Sequence, residues 1–599
     1  MDIKSGGQGA VIPNNKNDPL GSKSFGRPDL VSRCTEIMIK GVENPPQELI
    51  DEKIAKLEEC IRRFKSQRNQ FALVSRLPPE VLSIIFSYVA AQPGPDYPVP
   101  CLLNRYSFSH VSQTWRSVAL NAPTLWHVLP FSIPWAEVMI ERSKAVSLVI
   151  RLHLSYLAPN SHRILFWKNV LRNHASRIQV LELTGSSKST FSVLFNDLQP
   201  LSLSLHSLHL SLAPSEAPFT FPANIVETRN IRSLSISGCD GTWYSTSLSC
   251  LTELNMQNIL NRPRFDEFFD ILRRNPFLQT LDMRNSLPLA SEFIGWITSV
   301  DLPRLRSLRL STKNIKEISN ILSRIIVPLT ATLTLDCSNK NSVEDDQGAL
   351  THLASSLSVF FAAMPANSDV YYADVGVCTE MGSLRLKAWE ASRGTRSKLR
   401  HGTPKLNLTI EPKTIWSSQT VLKEIFPSLP LLNITNLTLE MDHADALMRG
   451  TLSNLSQLRN VTTVGNCVFD LISALTHKPH NYYKEASAFY SVSFPTLRSL
   501  CIRGSECGPD GIDLLRDCLI ERYERKAELT KLKLEECYEV YFDDVELLKE
   551  IVVDVEWDGW EREKSEPSVD SEAGYDCYEY DYYDEYDFDL DSDFYPPPF

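Results

Sequence analysis

A short segment of the form Leu-x-x-Leu-x-apolar returns through this chain at a nearly constant distance. It occurs as Ile178–Leu183, Leu205–Leu210, Ile231–Ile236, Leu251–Met256, Leu278–Met283 and Leu305–Leu310. The central leucines, Leu181, Leu208, Leu234, Leu254, Leu281 and Leu308, are separated by 27, 26, 20, 27 and 27 residues. A near-constant step predicts a stack of like units. Each unit supplies one short strand, the strands line up in parallel, and about 20 intervening residues return across the other side. No unit buries its own leucines; the next one does.

The motif resumes at Leu406–Leu408, Ile434–Leu439, Leu497–Ile502 and Leu529–Leu534, while the stretch from about 339 to 400 keeps poor register and reads as an irregular insertion or a set of atypical repeats. Some returns are predicted to be helical. Arg264–Asn275 sets Phe265, Phe268, Phe269 and Leu272 on one face before Asn275-Pro276 stops it, and Ile315–Ile326 has similar spacing. The period lies in the leucine-rich-repeat range. Strand alternation sends the leucines inward and the residues between them to the concave face. That face is expected to carry Ser207, His209, Ser235, Glu253, Asn255, Asp282, Arg284, Ser307, Arg309 and Arg503. The residues predicted to touch a bound protein there are His209, Asn255, Asp282, Arg284, Arg309 and Arg503.

Upstream lies a different pattern. Leu77-Pro78-Pro79-Glu80-Val81-Leu82 begins a helix, with proline where the first turn leaves N–H groups unpaired and Glu80 at the positive end of the dipole. Val81, Leu82, Ile84, Ile85 and Phe86 make it apolar on more than one face. A module of about 50 residues cannot bury so much by itself, which predicts a partner. A second block follows with Val111, Trp115, Arg116, Ala119, Pro123, Leu125 and Trp126. The two blocks together resemble the F-box, in the form common in mushroom-forming fungi, and the repeats resemble the divergent leucine-rich repeats that follow it there. The resemblance implies docking on a Skp adaptor, and through it a cullin and a RING protein of a ubiquitin ligase. It places Leu77, Pro78, Leu82, Ile85, Phe86 and Val111 against the adaptor and Trp115 in the module's own core. The Pro-rich stretch Ala90–Tyr106 departs from the family pattern.

Before the F-box, Ile50, Ile54, Leu57, Ile61, Phe64 and Phe71 form a seam along one helix face, broken by Arg68. Packing back on its own domain is the expected use, with a short coiled-coil dimer as the alternative. Residues 556–599 carry 16 acidic against two basic side chains, a net −14, so the other 555 residues hold +2 of the chain's −12. The body therefore lacks the basic surface that nucleic-acid binding needs. Thirteen scattered cysteines fit a reducing compartment, and no apolar run reaches membrane-spanning length.

No phosphate-binding glycine loop or nucleophile elbow is present, and His477 and His480 make a poor metal pair. No cofactor and no metal are expected. The expected fold is α/β: a disordered N-terminus (1–43), an amphipathic helix (44–72), an F-box-like domain (73–130), a leucine-rich-repeat-like solenoid (131–555) and an acidic disordered tail (556–599), in which Ser565, Ser568 and Ser571 are possible phosphorylation sites. The expected function is that of a non-catalytic, intracellular substrate-recognition adaptor of a Skp–cullin–F-box ligase, cytoplasmic or nuclear. The alternatives are a scaffold built on the repeats alone, and an F-box protein acting with its adaptor outside a ligase.

Overall fold

The computed structural model describes residues 47–91 and 106–561, with breaks at 156, 197–203, 214–218, 221–229, 241–247, 290–297, 329, 339–346, 363–371, 381–382, 391–403, 412–417, 432, 442–451, 453–454 and 477–492. The expected disordered N-terminus, most of the Ala90–Tyr106 stretch, the His477/His480 pair and the tail beyond 561 lie outside the described residues. The chain divides into two compact units, Met1–Ala119 and Leu120–Phe599.

Among the described residues, the first unit carries the helices α1 (Gln47–Gln70) and α2 (Pro79–Ala91) and all but the last residue of α3 (Gln113–Leu120). Pro79 opens α2, whose first backbone bond runs from Leu82 N–H to Pro78 C=O at 3.1 Å. Ser112 caps α3, its hydroxyl accepting from Trp115 N–H at 3.2 Å.

The second unit is built on one 17-stranded sheet. Its strands are β1 (Val128–Leu129), β2 (Leu148–His153), β3 (Ile178–Gly185), β4 (Ser207–Leu212), β5 (Ser233–Ser237), β6 (Glu253–Gln257), β7 (Thr280–Arg284), β8 (Ser307–Thr312) and β9 (Thr332–Ser338). They continue with β10 (Tyr372–Glu380), β11 (Ser383–Glu390), β12 (Leu406–Glu411), β13 (Asn436–Glu440), β14 (Asn460–Val464), β15 (Ser499–Arg503), β16 (Lys531–Glu535) and β17 (Asp554–Trp557). From β1 to β9 each strand pairs in parallel with the next in sequence. Parallel pairing follows from the returns, many of them helical: α4 (Ile133–Arg142), α5 (His162–Asn173), α6 (Lys188–Phe195), α7 (Phe265–Arg274) and α8 (Ile315–Leu322) each bring the chain back to start the next strand in the same direction. Such an array resembles the leucine-rich-repeat solenoid.

The sheet begins at Val128, within the stretch assigned from sequence to the F-box-like domain. Trp126 is buried just ahead of this strand, under the Arg142 guanidinium at 4.6 Å from its ring centroid, so the end of that sequence block belongs to the repeat unit.

Order changes once. β9 pairs in parallel with β12, β12 and β10 flank β11 in antiparallel fashion, and β10 pairs in parallel with β13. The described part of the stretch expected to be irregular at 339–400 thus contributes to the sheet. It supplies α9 (Gln347–Ala362) and the β10–β11 hairpin, which closes on the Glu380–Ser383 pair. From β13 to β17 the parallel order resumes, with returns α10 (Ser418–Ile425), leading into β13, then α11 (Cys467–Leu475), α12 (Gly508–Glu524) and α13 (Phe542–Lys549).

Inward leucines seal the interior. Leu181, Leu208, Leu281 and Leu308 are fully buried, and Leu234 and Leu254 nearly so. The expected helical return is observed as Phe265–Arg274 with all its predicted apolar residues buried. Asn275 ends it: its side-chain oxygen accepts from Leu251 N–H at 2.7 Å, and its amide donates to Leu248 and Ile271 carbonyls at 2.9 and 2.7 Å. A buried polar group fully engaged in this way ties one return to its neighbour.

The turn out of several strands recurs as well. Gly238, Asn258, Asn285, Gly465, Gly504 and Glu536 each directly follow a strand and each hold a positive φ. Glycine and asparagine tolerate that conformation best. At Gly238 an added Cβ would lie 2.1 Å from the Leu212 carbonyl oxygen, so space forbids a side chain there too.

Candidate functional site

Two surfaces qualify, one on each unit. On α2 the residues fall into two stripes at 100° per residue. Leu82 and Phe86 point inward and are each 1% exposed. Phe86 stacks on Phe108 with ring centroids 4.4 Å apart and leans on Trp115 at 5.1 Å. Tyr106 meets Phe108 edge-on at 6.0 Å. Val81, Ile84, Ile85, Tyr88 and Val89 occupy the i, i+3, i+4, i+7, i+8 positions and are all exposed, Ile84 at 56% and Tyr88 at 71%.

The residues assigned by the resemblance to the adaptor contact therefore separate. Ile85, Pro78 and Val111 are exposed, and Leu77 is half-buried. Leu82 and Phe86, by contrast, are buried within the module, Phe86 against Phe108 and Trp115 of the second block. Ile84, Tyr88 and Val89 take their place on the free face. The sequence signal for that face was the helical spacing of the second apolar stripe.

On the sheet, register aligns outward residues into rows. One row runs Glu182, His209, Ser235, Asn255, Asp282, Arg309, Thr334 across β3 to β9. A second runs Gln257, Arg284, Ser311, Asp336, Thr409, Arg385 from β6 through β9 and β12 to β11. Five of the six residues predicted from sequence as substrate contacts thus share the β4–β8 part of the face. Arg503 lies on β15 near the other end of the sheet, where it pairs with Glu535.

Asp282 is buried and already held. Arg284 grips it with both branches, Nε to Oδ1 at 3.0 Å and Nη2 to Oδ2 at 2.8 Å, and Arg309 stands 3.6 Å from Oδ2. This hydrogen bond, against some desolvation, lifts the Arg284 pKa further above neutrality. Asp282 thus clamps two guanidinium groups on the face. Sequence reading missed Asp336, Arg385 and Glu411, which extend the same patch. The Asp336 carboxyl is held above its ordinary range, chiefly by burial, with the Ser311 hydroxyl opposing and Glu411 adding to the rise. Arg385 escaped notice because the strand that carries it runs against the repeat direction.

Burial pushes the Cys239 and Cys518 thiols up to about 12, whereas the neighbouring Cys507 lowers that of Cys537. Cys501, on the sheet face, is raised by burial and by Glu535. Among the described residues no cluster of three or more His, Cys, Asp or Glu has the arrangement to hold a metal ion, and no helix is long and apolar enough to cross a membrane.

No protein-family model matches the chain, and no curated protein matches it. Among solved structures, the crystal structure of an internalin (inlF) from Listeria monocytogenes str. 4b F2365 aligns at 12% identity and a TM-score of 0.21, over 64% of this chain and 88% of that one.

Proposed function

We propose that this chain is a non-catalytic adaptor whose helical unit docks a Skp adaptor and whose repeat array presents a protein to the attached cullin–RING ligase. One observation carries the reading: α2 keeps a five-residue apolar stripe exposed while a different stripe of the same helix fills the interior. A helix that needed those residues for its own fold would bury them. Burying an aliphatic or aromatic side chain is worth about 1.5–3 kcal/mol, so a partner covering this stripe gains a strong contact. The F-box resemblance of both sequence blocks names the partner. The array supplies the second half: a long, rigid polar face on which another protein can lie, so that ubiquitin transfer is promoted by proximity.

The test is reconstitution of the tagged full chain with purified Skp adaptor and cullin, beside an Ile85→Asp/Val111→Asp variant. Both sites are exposed, so the variant is expected to fold. Recovery of both proteins by the wild type and neither by the variant is the expected result. Adaptor without cullin would place the chain outside a ligase. Recovery of neither would leave a scaffold built on the repeats.

A further inference from the structure

We propose that α1 is a parallel coiled-coil segment that pairs this chain with a second copy of itself. The inference is independent of what binds α2. None of the 24 residues of α1 is buried. Its seam residues Ile50, Ile54, Ile61 and Phe64 are 42–53% exposed, which corrects the expectation that the seam packs back on its own domain. Most of a helix's stability in a protein comes from packing its amphipathic face, so an uncovered seam calls for a second helix.

Three features identify that helix as a copy of α1. The steps of 4, 3, 4 and 3 put Ile54 and Ile61 at a and Ile50, Leu57 and Phe64 at d of a heptad. β-Branched residues at a with leucine at the central d favour two parallel strands. The outer positions are already engaged within the helix, by Arg62–Glu59 at 3.3 Å, Arg63–Glu59 at 3.0 Å and the Lys56–Glu52 pair. The flanking positions are not. Lys53 falls at g and Glu58 at the following e, the two positions that meet across a parallel pair. Each has no ion-pair partner within its own chain among the described residues, and each would face its opposite charge on the second copy. Arg68, at the next a, would oppose its own copy and ends the seam after about three heptads, or about 30 Å of helix. Such a dimer carries two repeat arrays, and a target with two epitopes would be held by both.

Sedimentation velocity of the full chain across the micromolar range tests this. A concentration-dependent dimer is expected. Ile54→Asp/Ile61→Asp should abolish it with an unchanged circular dichroism melt of the array. Lys53→Glu should weaken it roughly tenfold, by turning two attractive pairs into repulsive ones, and Lys53→Glu/Glu58→Lys should restore it. A wild type that stays monomeric overturns the proposal, as does a dimer that survives Ile54→Asp/Ile61→Asp. Failure of the charge exchange to restore association overturns the parallel arrangement.

Discussion

Leu281 and Leu308 are neighbours in register on β7 and β8, and both are sealed from solvent by the units on either side. Ile84 and Ile85 have the same chemistry on α2, yet both remain exposed. In the array most inward positions are answered by a like position in the next unit, so burial is complete wherever the stack continues. The helical unit has no such neighbour. It fills its small interior with Phe86, Phe108 and Trp115 and has apolar side chains left over. The difference separates residues that hold the fold from residues free to meet a partner.

Substitutions within α2 test that separation most sharply. Phe86→Ala should destabilise the helical unit by about 3–5 kcal/mol and Leu308→Ala the array by about 2–5 kcal/mol, measured by denaturant unfolding. Ile84→Ala, two positions from Phe86, should move stability by less than about 0.5 kcal/mol. Equal losses from Phe86→Ala and Ile84→Ala would erase the distinction between the two stripes.

The array carries one polar test of the same idea. Arg262 donates to Glu317 at 2.8 Å, and Thr312 also donates to that buried carboxylate. Burial holds the Glu317 carboxyl above its ordinary range, with Thr312 and Arg262 opposing. A raised carboxyl pKa favours the fold below its ordinary value, and that contribution is lost as pH rises through the raised one. Arg262→Ala should therefore cost about 2 kcal/mol at neutral pH, less than a fully buried pair because Arg262 is partly exposed. The penalty should shrink in acid, where Glu317 takes up a proton. A penalty independent of pH would contradict this assignment.

Turn geometry ranks next. Gly238→Ala should cost about 1–3 kcal/mol through its positive φ and the Leu212 carbonyl, visible as a lowered melting temperature. The smallest effect belongs to the exposed Arg503–Glu535 pair: Arg503→Ala should cost less than about 1 kcal/mol. The Glu535 carboxyl is lowered first by Lys533 and then by Arg503. Whatever the pair contributes is present above the ordinary carboxyl range and lost as pH falls through the lowered value.

Legibility in the sequence followed the same division. Ten strands could be located from the leucine motif alone, because each inward leucine has one place to go. β14 could not, since Thr463 occupies an inward position where the motif expects leucine. It is fully buried, and its hydroxyl has no hydrogen-bond partner among the described residues. The Gly465 that follows it was the better signal. The β10–β11 hairpin was missed because periodicity cannot show that a later strand, β12, inserts beside β9 ahead of it. On α2 the spacing revealed two apolar stripes and could not rank them. Ile85 and Phe86 are both large and apolar, and it is Phe86 that Phe108 and Trp115 meet, more than twenty residues away in sequence.

Hydrogen exchange of the full chain with and without purified Skp adaptor tests the central claim most directly. The account predicts added protection in peptides covering Pro79–Ala91 and around Val111, with the strands β3 to β8 unchanged. Unaltered exchange in α2 in the presence of saturating adaptor, or protection confined to the sheet, would contradict it.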